Sequence, residues 1–269
     1  MKIIRALSVG SIHMGQLLED GRQARLIEGD LLGEFRVTER TFRIDKLLAP
    51  IVPTDILCIG LNYRDHAAES KSAVPVNPML FIKASNTLNN PFDPIPIPKL
   101  SSMIDYEGEL AVVMGPRDAK YVSREEALEY VFGYTIANDV SARDWQRDKT
   151  LGGGQFPRGK SFDGFCPLGP AIVTRDEIPN PNALRLRTIL NSQVMQDHTT
   201  SDMIFDVPRL IESLSSTMTL RAGAVILTGT PHGVGFARTP PVWMKAGDTI
   251  VVEIEGLGRL ENTVLEEAL

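Results

Sequence analysis

Ile104-Asp-Tyr-Glu-Gly-Glu-Leu-Ala-Val-Val-Met114 places two carboxylates, Glu107 and Glu109, in an otherwise apolar run. Read as a strand, its side chains alternate between faces, so residues i and i+2 share one. Two like charges side by side on a half-buried face repel each other and lose hydration unless a cation lies between them. A metal supplies that cation, and oxygen-only ligands suit Mg²⁺, Mn²⁺ or Ca²⁺ better than zinc, which more often draws Cys or His. A third acid, Asp139, ends the apolar run Val131-Phe-Gly-Tyr-Thr-Ile-Ala-Asn-Asp139. For the bare pair alone a solvated sheet edge is an equal reading, since Glu is rarely fully buried.

Composition sets the outer limits. The 269 residues, 43% hydrophobic and 23% charged, suit one large domain or one domain plus a small lobe. A net charge of −6 and a pI near 5.3 argue against a nucleic-acid surface, while local Lys and Arg leave room for a small anionic substrate. Cys58 and Cys166 lie in apolar segments and read as buried free thiols. No apolar span reaches the roughly 20 residues that cross a bilayer. The start, Met-Lys-Ile-Ile-Arg-Ala-Leu, lacks a secretory apolar core. The expectation is a cytoplasmic protein with no membrane partner.

Residues 1–48 alternate short apolar runs with the turn-formers Glu19-Asp-Gly21 and Glu28-Gly-Asp30, and predict a small β-rich lobe. The Pro-punctuated connector Leu48-Ala-Pro-Ile-Val-Pro-Thr54 follows, and the catalytic domain is placed at 49–269. Ile56–Gly60 is a buried-type strand that leads into a short helix capped by Asn62 or Asp65. In that helix His66 and Glu69, at i and i+3, share a face. A carboxylate that orients an imidazole makes it a better base for water, although such a pair taken alone is more often a solvated surface feature. Lys71–Pro78 is a Pro-containing loop able to move as a lid, and Met79–Lys83 re-enters a strand.

Ser123 and Glu126 make a capping-box pattern that predicts a helix to Val131, and one helical turn over 141–146 would present Arg143 and Gln146 on one face. Leu151-Gly-Gly-Gly154 reads as a tight or mobile loop, and without the Walker spacing it is no phosphate loop. Lys160, between Gly159 and Ser161-Phe162, is either a surface charge or a site cation. Beyond Cys166 the pattern is strands at 167–173, 184–194, 224–228 and 248–255, with an amphipathic helix over 207–218. Leu227-Thr-Gly-Thr-Pro-His-Gly-Val-Gly235 ends a strand in a glycine-rich loop whose N–H groups and Thr230 hydroxyl can hold a carboxylate, or which is an ordinary turn. His232 is either a contact there or solvated, and His13 and His198 carry no motif and read as structural.

The order Gly60-Leu-Asn-Tyr-x-x-His66-x-x-Glu69, Asp105-Tyr-Glu-Gly-Glu109, Asn138-Asp-Val-Ser-Ala-Arg-Asp-Trp-Gln146, Gly159-Lys-Ser-Phe-Asp163 and Thr228-Gly-Thr-Pro-x-Gly-Val-Gly235 resembles the fumarylacetoacetate hydrolase family. The likeness runs over roughly residues 50–265 and is nearest the branch of acylpyruvate hydrolases and 2-hydroxyhepta-2,4-diene-1,7-dioate isomerases. It implies a mainly β (α+β) fold, a mixed β-roll of packed sheets with few helices, preceded by the small N-terminal lobe and assembled as a homodimer. It implies metal ligands at Glu107, Glu109 and Asp139 for Mg²⁺ (or Mn²⁺ or Ca²⁺), and a water-activating dyad of His66 and Glu69. Lys160 joins them as a catalytic group, with Tyr63, Arg143, Gln146, Gly229 and Thr230 as substrate contacts. One departure is that Ile56–Tyr63 lacks the further acid some relatives carry before the His, which argues against fumarylacetoacetate itself as substrate.

The expected activity is metal-dependent hydrolysis of a 2,4-dioxo acid, an acylpyruvate or fumarylpyruvate-like 2-oxo acid, to pyruvate and a carboxylic acid. The alternative is oxaloacetate decarboxylation or isomerase-type tautomerisation at the same site, all through a pyruvate-like enolate. A non-catalytic metal-dependent binding protein has no need of the dyad, and a cupin oxygenase would need an H-x-H pair that is absent.

Overall fold

The computed structural model describes residues 1–151 and 154–267. Gly152 and Gly153 of the expected glycine loop lie outside the described residues. The described chain is mostly strand with short helices, and a twelve-stranded sheet forms its centre. Along the main path of that sheet the strands run Phe35–Arg43, Gln23–Gly29, Ser11–Leu17, Lys2–Ser8, Cys166–Thr174, Val131–Asn138, Gly108–Met114, Val225–Leu227, Ile56–Gly60 and Met79–Lys83. The β-rich N-terminal segment is thus hydrogen-bonded into the centre, with Lys2 opposite Val173 and Ile3 opposite Ile172.

A five-stranded sheet covers one face of the centre. Leu110, Val112 and Ile136 of the first meet Leu186, Val252 and Leu260 of the second in the largest apolar core. On the other face Ala111, Val113 and Ala137 meet Ile3, Cys58 and Leu227. Gly108–Met114 is therefore buried on both sides at every residue, and this is why it reads as a near-continuous apolar run. The sheets approach so closely at Gly108 that a Cβ there would lie 2.2 Å from Thr188 Oγ1. Both cysteines are buried free thiols, and burial foremost pushes the Cys166 thiol up to about 12.

Several elements differ from the sequence reading. The acidic strand breaks in two, Ile104–Asp105 and Gly108–Met114, because side chains take over the ladder between them: Tyr106 N donates to Asp105 Oδ1 (2.9 Å) and Glu107 N to Asn138 Oδ1 (3.0 Å). The helix expected to Val131 is one 3₁₀ turn, Ala127–Tyr130, since Val131 already begins a central strand; the Ser123–Glu126 side-chain pair is present at 3.0 Å. The strand expected over 184–194 is a hairpin, Arg185–Leu190 and Gln193–Thr199. It turns at Asn191 and Ser192 with φ of 49° and 70°, the left-handed pair a two-residue hairpin turn requires. The helix Val207–Thr217 forms as its pattern predicts, with Asp206 Oδ1 accepting from Arg209 N at 3.0 Å and Leu210, Ile211 and Leu214 buried.

Candidate active site

The break at Tyr106–Glu107 lets the chain deliver carboxylates where a regular ladder would not. One oxygen each from Glu107, Glu109 and Asp139 lie within 4.8 Å of one another, and all three residues are buried. Three buried cations face them. Lys160 Nζ donates to Glu107 Oε2 (2.7 Å) and Asp139 Oδ2 (2.5 Å), and Lys83 Nζ to Asp139 Oδ1 (2.6 Å). Arg143 Nη2 lies 2.7 Å from Glu107 Oε1, close but without the alignment of a hydrogen bond. Arg143 is itself set by Asp105, whose Oδ2 accepts from Nε at 2.8 Å, and by Gln146, whose Oε1 accepts from Nη1 at 2.9 Å.

The protonation balance follows from this arrangement. Burial pushes the Glu107 carboxyl up, but Lys160 and Arg143 outweigh it and hold it down at about 2. Glu109 goes the other way: burial, then repulsion by Asp139 and Glu107, raise it well above the usual carboxylate range. Its one strong local partner is a neutral donor, Gly229 N, at 2.7 Å from Oε2. Burial alone would lower Lys160, yet Asp139 and Glu107 keep it charged.

The donor set fits a hard divalent cation. It is all oxygen, and each carboxylate offers about four lone-pair sites, so those given to lysine leave others free. Glu109 is the decisive group, a buried acid without a cation of its own among four carboxylates and three basic side chains. A divalent ion would supply that charge.

A cavity of about 120 Å³ opens beside Glu107. Its lining combines polar residues, Arg143, Gln146, Lys160, Thr230 and His66, with apolar ones, Met79, Phe81, Phe156 and Phe236. His66 sits on the short helix Arg64–Glu69, where Nδ1 is 3.1 Å from Glu69 Oε2. Glu69 Oε1 accepts from Gly233 N at 2.9 Å, which ties the dyad to the glycine-rich loop. Burial raises the Glu69 carboxyl, and the bonds from His66 and Gly233 bring it below its ordinary value. Thr230 lines the cavity while its Oγ1 donates to Gly108 O (3.1 Å) and accepts from Gln196 Nε2 (2.8 Å).

Two expected contacts are placed elsewhere. Tyr63 is fully buried in the large core, its ring 6.2 Å from that of His198, and does not line the cavity. Gly229 also stays out of the lining and spends its N–H on Glu109. The dyad helix has no side-chain cap: Asn62 instead bonds Phe205 and the Thr228 carbonyl, and the Asp65 N–H is accepted by Asp202 Oδ2 at 3.1 Å.

Lys83, Asp105 and Phe236 belong to the site without having been singled out. Lys83 had a signal, because it falls at i+2 from the inward-facing Phe81 on Met79–Lys83. Besides Tyr106 N, Asp105 is held by three donors distant in the chain, Gly235 N at 2.7 Å, Phe236 N at 3.1 Å and Arg143, which no local pattern announces. Phe236 carries the Arg143 guanidinium 4.5 Å from its ring centroid.

Residues 55–265 match the family described as Fumarylacetoacetate (FAA) hydrolase C-terminal. The Xenopus laevis protein named oxaloacetate tautomerase fahd2, mitochondrial, is 48% identical over 220 residues, 81% of this chain and 68% of its own. Oxaloacetate tautomerase YisK of Bacillus subtilis is 45% identical over 224 residues, 81% of this chain and 73% of its own. Among solved structures, 2-hydroxyhepta-2,4-diene-1,7-dioate isomerase from Mycobacterium marinum superposes with a TM-score of 0.84 at 39% identity, covering 100% of both chains. With its buried acidic triad and the match over 55–265, this chain belongs to the fumarylacetoacetate hydrolase family.

Proposed function

We propose that this protein is a metal-dependent enzyme that interconverts the enol and keto forms of a small 2-oxo diacid of the oxaloacetate kind. The observation that carries the reading is the cavity itself, whose lining combines Arg143, Lys160 and Glu107 with an acid–base group, the Glu69-held His66. The likeness to oxaloacetate tautomerases at 45–48% identity supports this reaction over the cleavage of acylpyruvates expected first.

Glu107, Glu109 and Asp139 would hold the ion, for which Mg²⁺ or Mn²⁺ is the chemical match. When bound, the ion supplies positive charge opposite a developing enolate oxygen. Lys160 and Arg143 add fixed charge for the substrate's carboxylate and keep Glu107 ionised. His66 takes a proton from the substrate carbon or returns one to it, and Glu69, bonded to its Nδ1, fixes the ring. In the keto direction the O–H bond of the enol breaks as a C–H bond forms, so one proton is lost at oxygen and one gained at carbon, and neither water nor cleavage of a C–C bond is needed. The apolar wall of Phe81, Phe156 and Phe236 limits water near the enolate.

The same dyad would suit attack by water on a 2,4-dioxo acid, so hydrolysis to pyruvate is the second reading. One assay separates the two: decay of the oxaloacetate enol absorbance, and pyruvate release from acetylpyruvate and oxaloacetate, each with Mg²⁺ and with chelator. Rapid Mg²⁺-dependent enol decay without pyruvate is the expected result. Pyruvate release from acetylpyruvate as the faster reaction would overturn tautomerisation in favour of hydrolysis. We also propose a homodimer, supported by the edge strand Met79–Lys83, which leaves Met79, Leu80 and Ile82 at 40%, 36% and 49% exposure. Sedimentation showing a monomer at micromolar concentration would reject it.

A further inference from the structure

A second group of ligating side chains surrounds the start of the dyad helix, and none of them lines the active-site cavity. One ligand atom each from Asp65, His198 and His232 lie within 4.8 Å of one another. Three elements bring them together: Asp65 on the helix Arg64–Glu69, His198 on the strand Gln193–Thr199, and His232 in the glycine-rich loop. A fourth donor is within reach, since Asp202 Oδ2 lies 3.0 Å from His198 Nε2 while Asp65 Oδ2 lies 3.6 Å from it.

The two imidazoles are what mark this as more than a surface ion cluster. His198 Nε2 and His232 Nδ1 are both shut off from solvent, and neither has a hydrogen-bond partner. The 3.0 Å approach of His198 to Asp202 lacks hydrogen-bond alignment, so the nearest carboxylate does not satisfy that nitrogen. The rings meet edge to face with centroids 4.8 Å apart. Nearby charges leave the carboxylates available. Arg64 donates to the carbonyls of Asp202 and Met203 rather than to either acid, Asp197 is engaged by Arg185, and Glu69 is engaged by His66 and Gly233.

We propose that Asp65, His198 and His232, with Asp202 closing the fourth position, form a second cation site, of the Zn²⁺ class, that fastens the dyad helix to the glycine-rich loop. Imidazole with carboxylate is a zinc-type donor set, unlike the all-oxygen triad in the core. At about 2.1 Å from a shared ion, two ligand atoms stand no more than about 4.2 Å apart, so the cluster has to contract slightly. Asp65, with a side chain 59% exposed, is the arm free to swing inward. His66 is the next residue, and Gly233, which holds Glu69, is the neighbour of His232. Binding would therefore steady both sides of the dyad.

Zn²⁺ binding is measured by equilibrium dialysis in saturating Mg²⁺ on the whole chain, and the ion is located by anomalous diffraction at the zinc edge. Wild type is expected to bind one Zn²⁺ per chain at Asp65, His198 and His232, and Glu109→Gln to retain it. His198→Ala and His232→Ala should each weaken it by about 100-fold or more, beyond what losing a supporting residue costs. Asp65→Asn, at an exposed side chain, keeps the test informative if His198→Ala fails to fold. At Zn²⁺ a hundred times its Kd, exchange of the Ala67 and Ser70 amides, bonded to Tyr63 O and His66 O, should slow roughly 100-fold. Undiminished binding in the folded variants, no Zn²⁺ in excess Mg²⁺, or density only among Glu107, Glu109 and Asp139 would overturn the site. Unchanged exchange in the Zn²⁺-bound protein would overturn its fastening role.

Discussion

Lys160 is the side chain on which the charge balance of the site turns, because one ammonium serves both Glu107 and Asp139 from a fully buried position. Lys160→Met should cost about 3–5 kcal/mol in urea denaturation, the usual result of stranding buried charge, and added Mg²⁺ should restore part of it. His66→Asn should leave Mg²⁺ affinity and the melting temperature near wild type while slowing turnover about 10²–10⁴-fold, read from enol decay. Glu69 gives a pH signature. Its folded carboxyl is held below the ordinary 4.5, so its contribution to stability is fully present above that value and is lost as pH falls through the folded one. The advantage of wild type over Glu69→Gln in thermal denaturation should thus be flat from neutral pH down to about 5 and shrink below it. At this scale the sequence was a good guide to the acids, since Glu107, Glu109 and Asp139 interrupt apolar runs and converge. It was a poor guide to Tyr63, because an aromatic inside a motif looks alike whether its ring faces a ligand or the core.

Among the elements, the turn after Val225–Leu227 has the least room for change. Gly229 has φ 95°, and a Cβ would lie 2.8 Å from the Cβ of Asn62. Gly229→Ala should therefore lose about 1–3 kcal/mol in chemical denaturation and bind Mg²⁺ more weakly, because its N–H orients Glu109. Element type was legible wherever one pattern acted alone, as in Val207–Thr217 with its cap and apolar stripe. It failed where tertiary demands cut in. The capping-box pair at Ser123 forms, but the sheet claims Val131, and a helix needs more residues than remain. The acidic strand breaks for a similar reason, since Asn138 and Asp105 offer its backbone nearer acceptors than a neighbouring strand.

For the whole molecule, chelator should abolish turnover and Mg²⁺ or Mn²⁺ restore it, while far-ultraviolet circular dichroism stays unchanged because the sheets do not depend on the ion. The segment order of the motifs was visible in the chain, and so was the β-rich class; the way the sheet closes was not. Val225–Leu227 lies between Gly108–Met114 and Ile56–Gly60, and pairs in parallel with residues about 170 positions earlier, Val225 opposite Ile56. No local spacing encodes such a neighbour. This insertion also makes the site a latecomer in time. Glu109 receives its N–H from Gly229 and Glu69 from Gly233, both delivered by that one short strand, so loop closure across most of the chain must precede a competent site. In a refolding experiment, strand signal should return in an early phase and catalysis only in the slowest, and a nascent chain stopped before residue 225 would lack both N–H donors and be inert toward substrate.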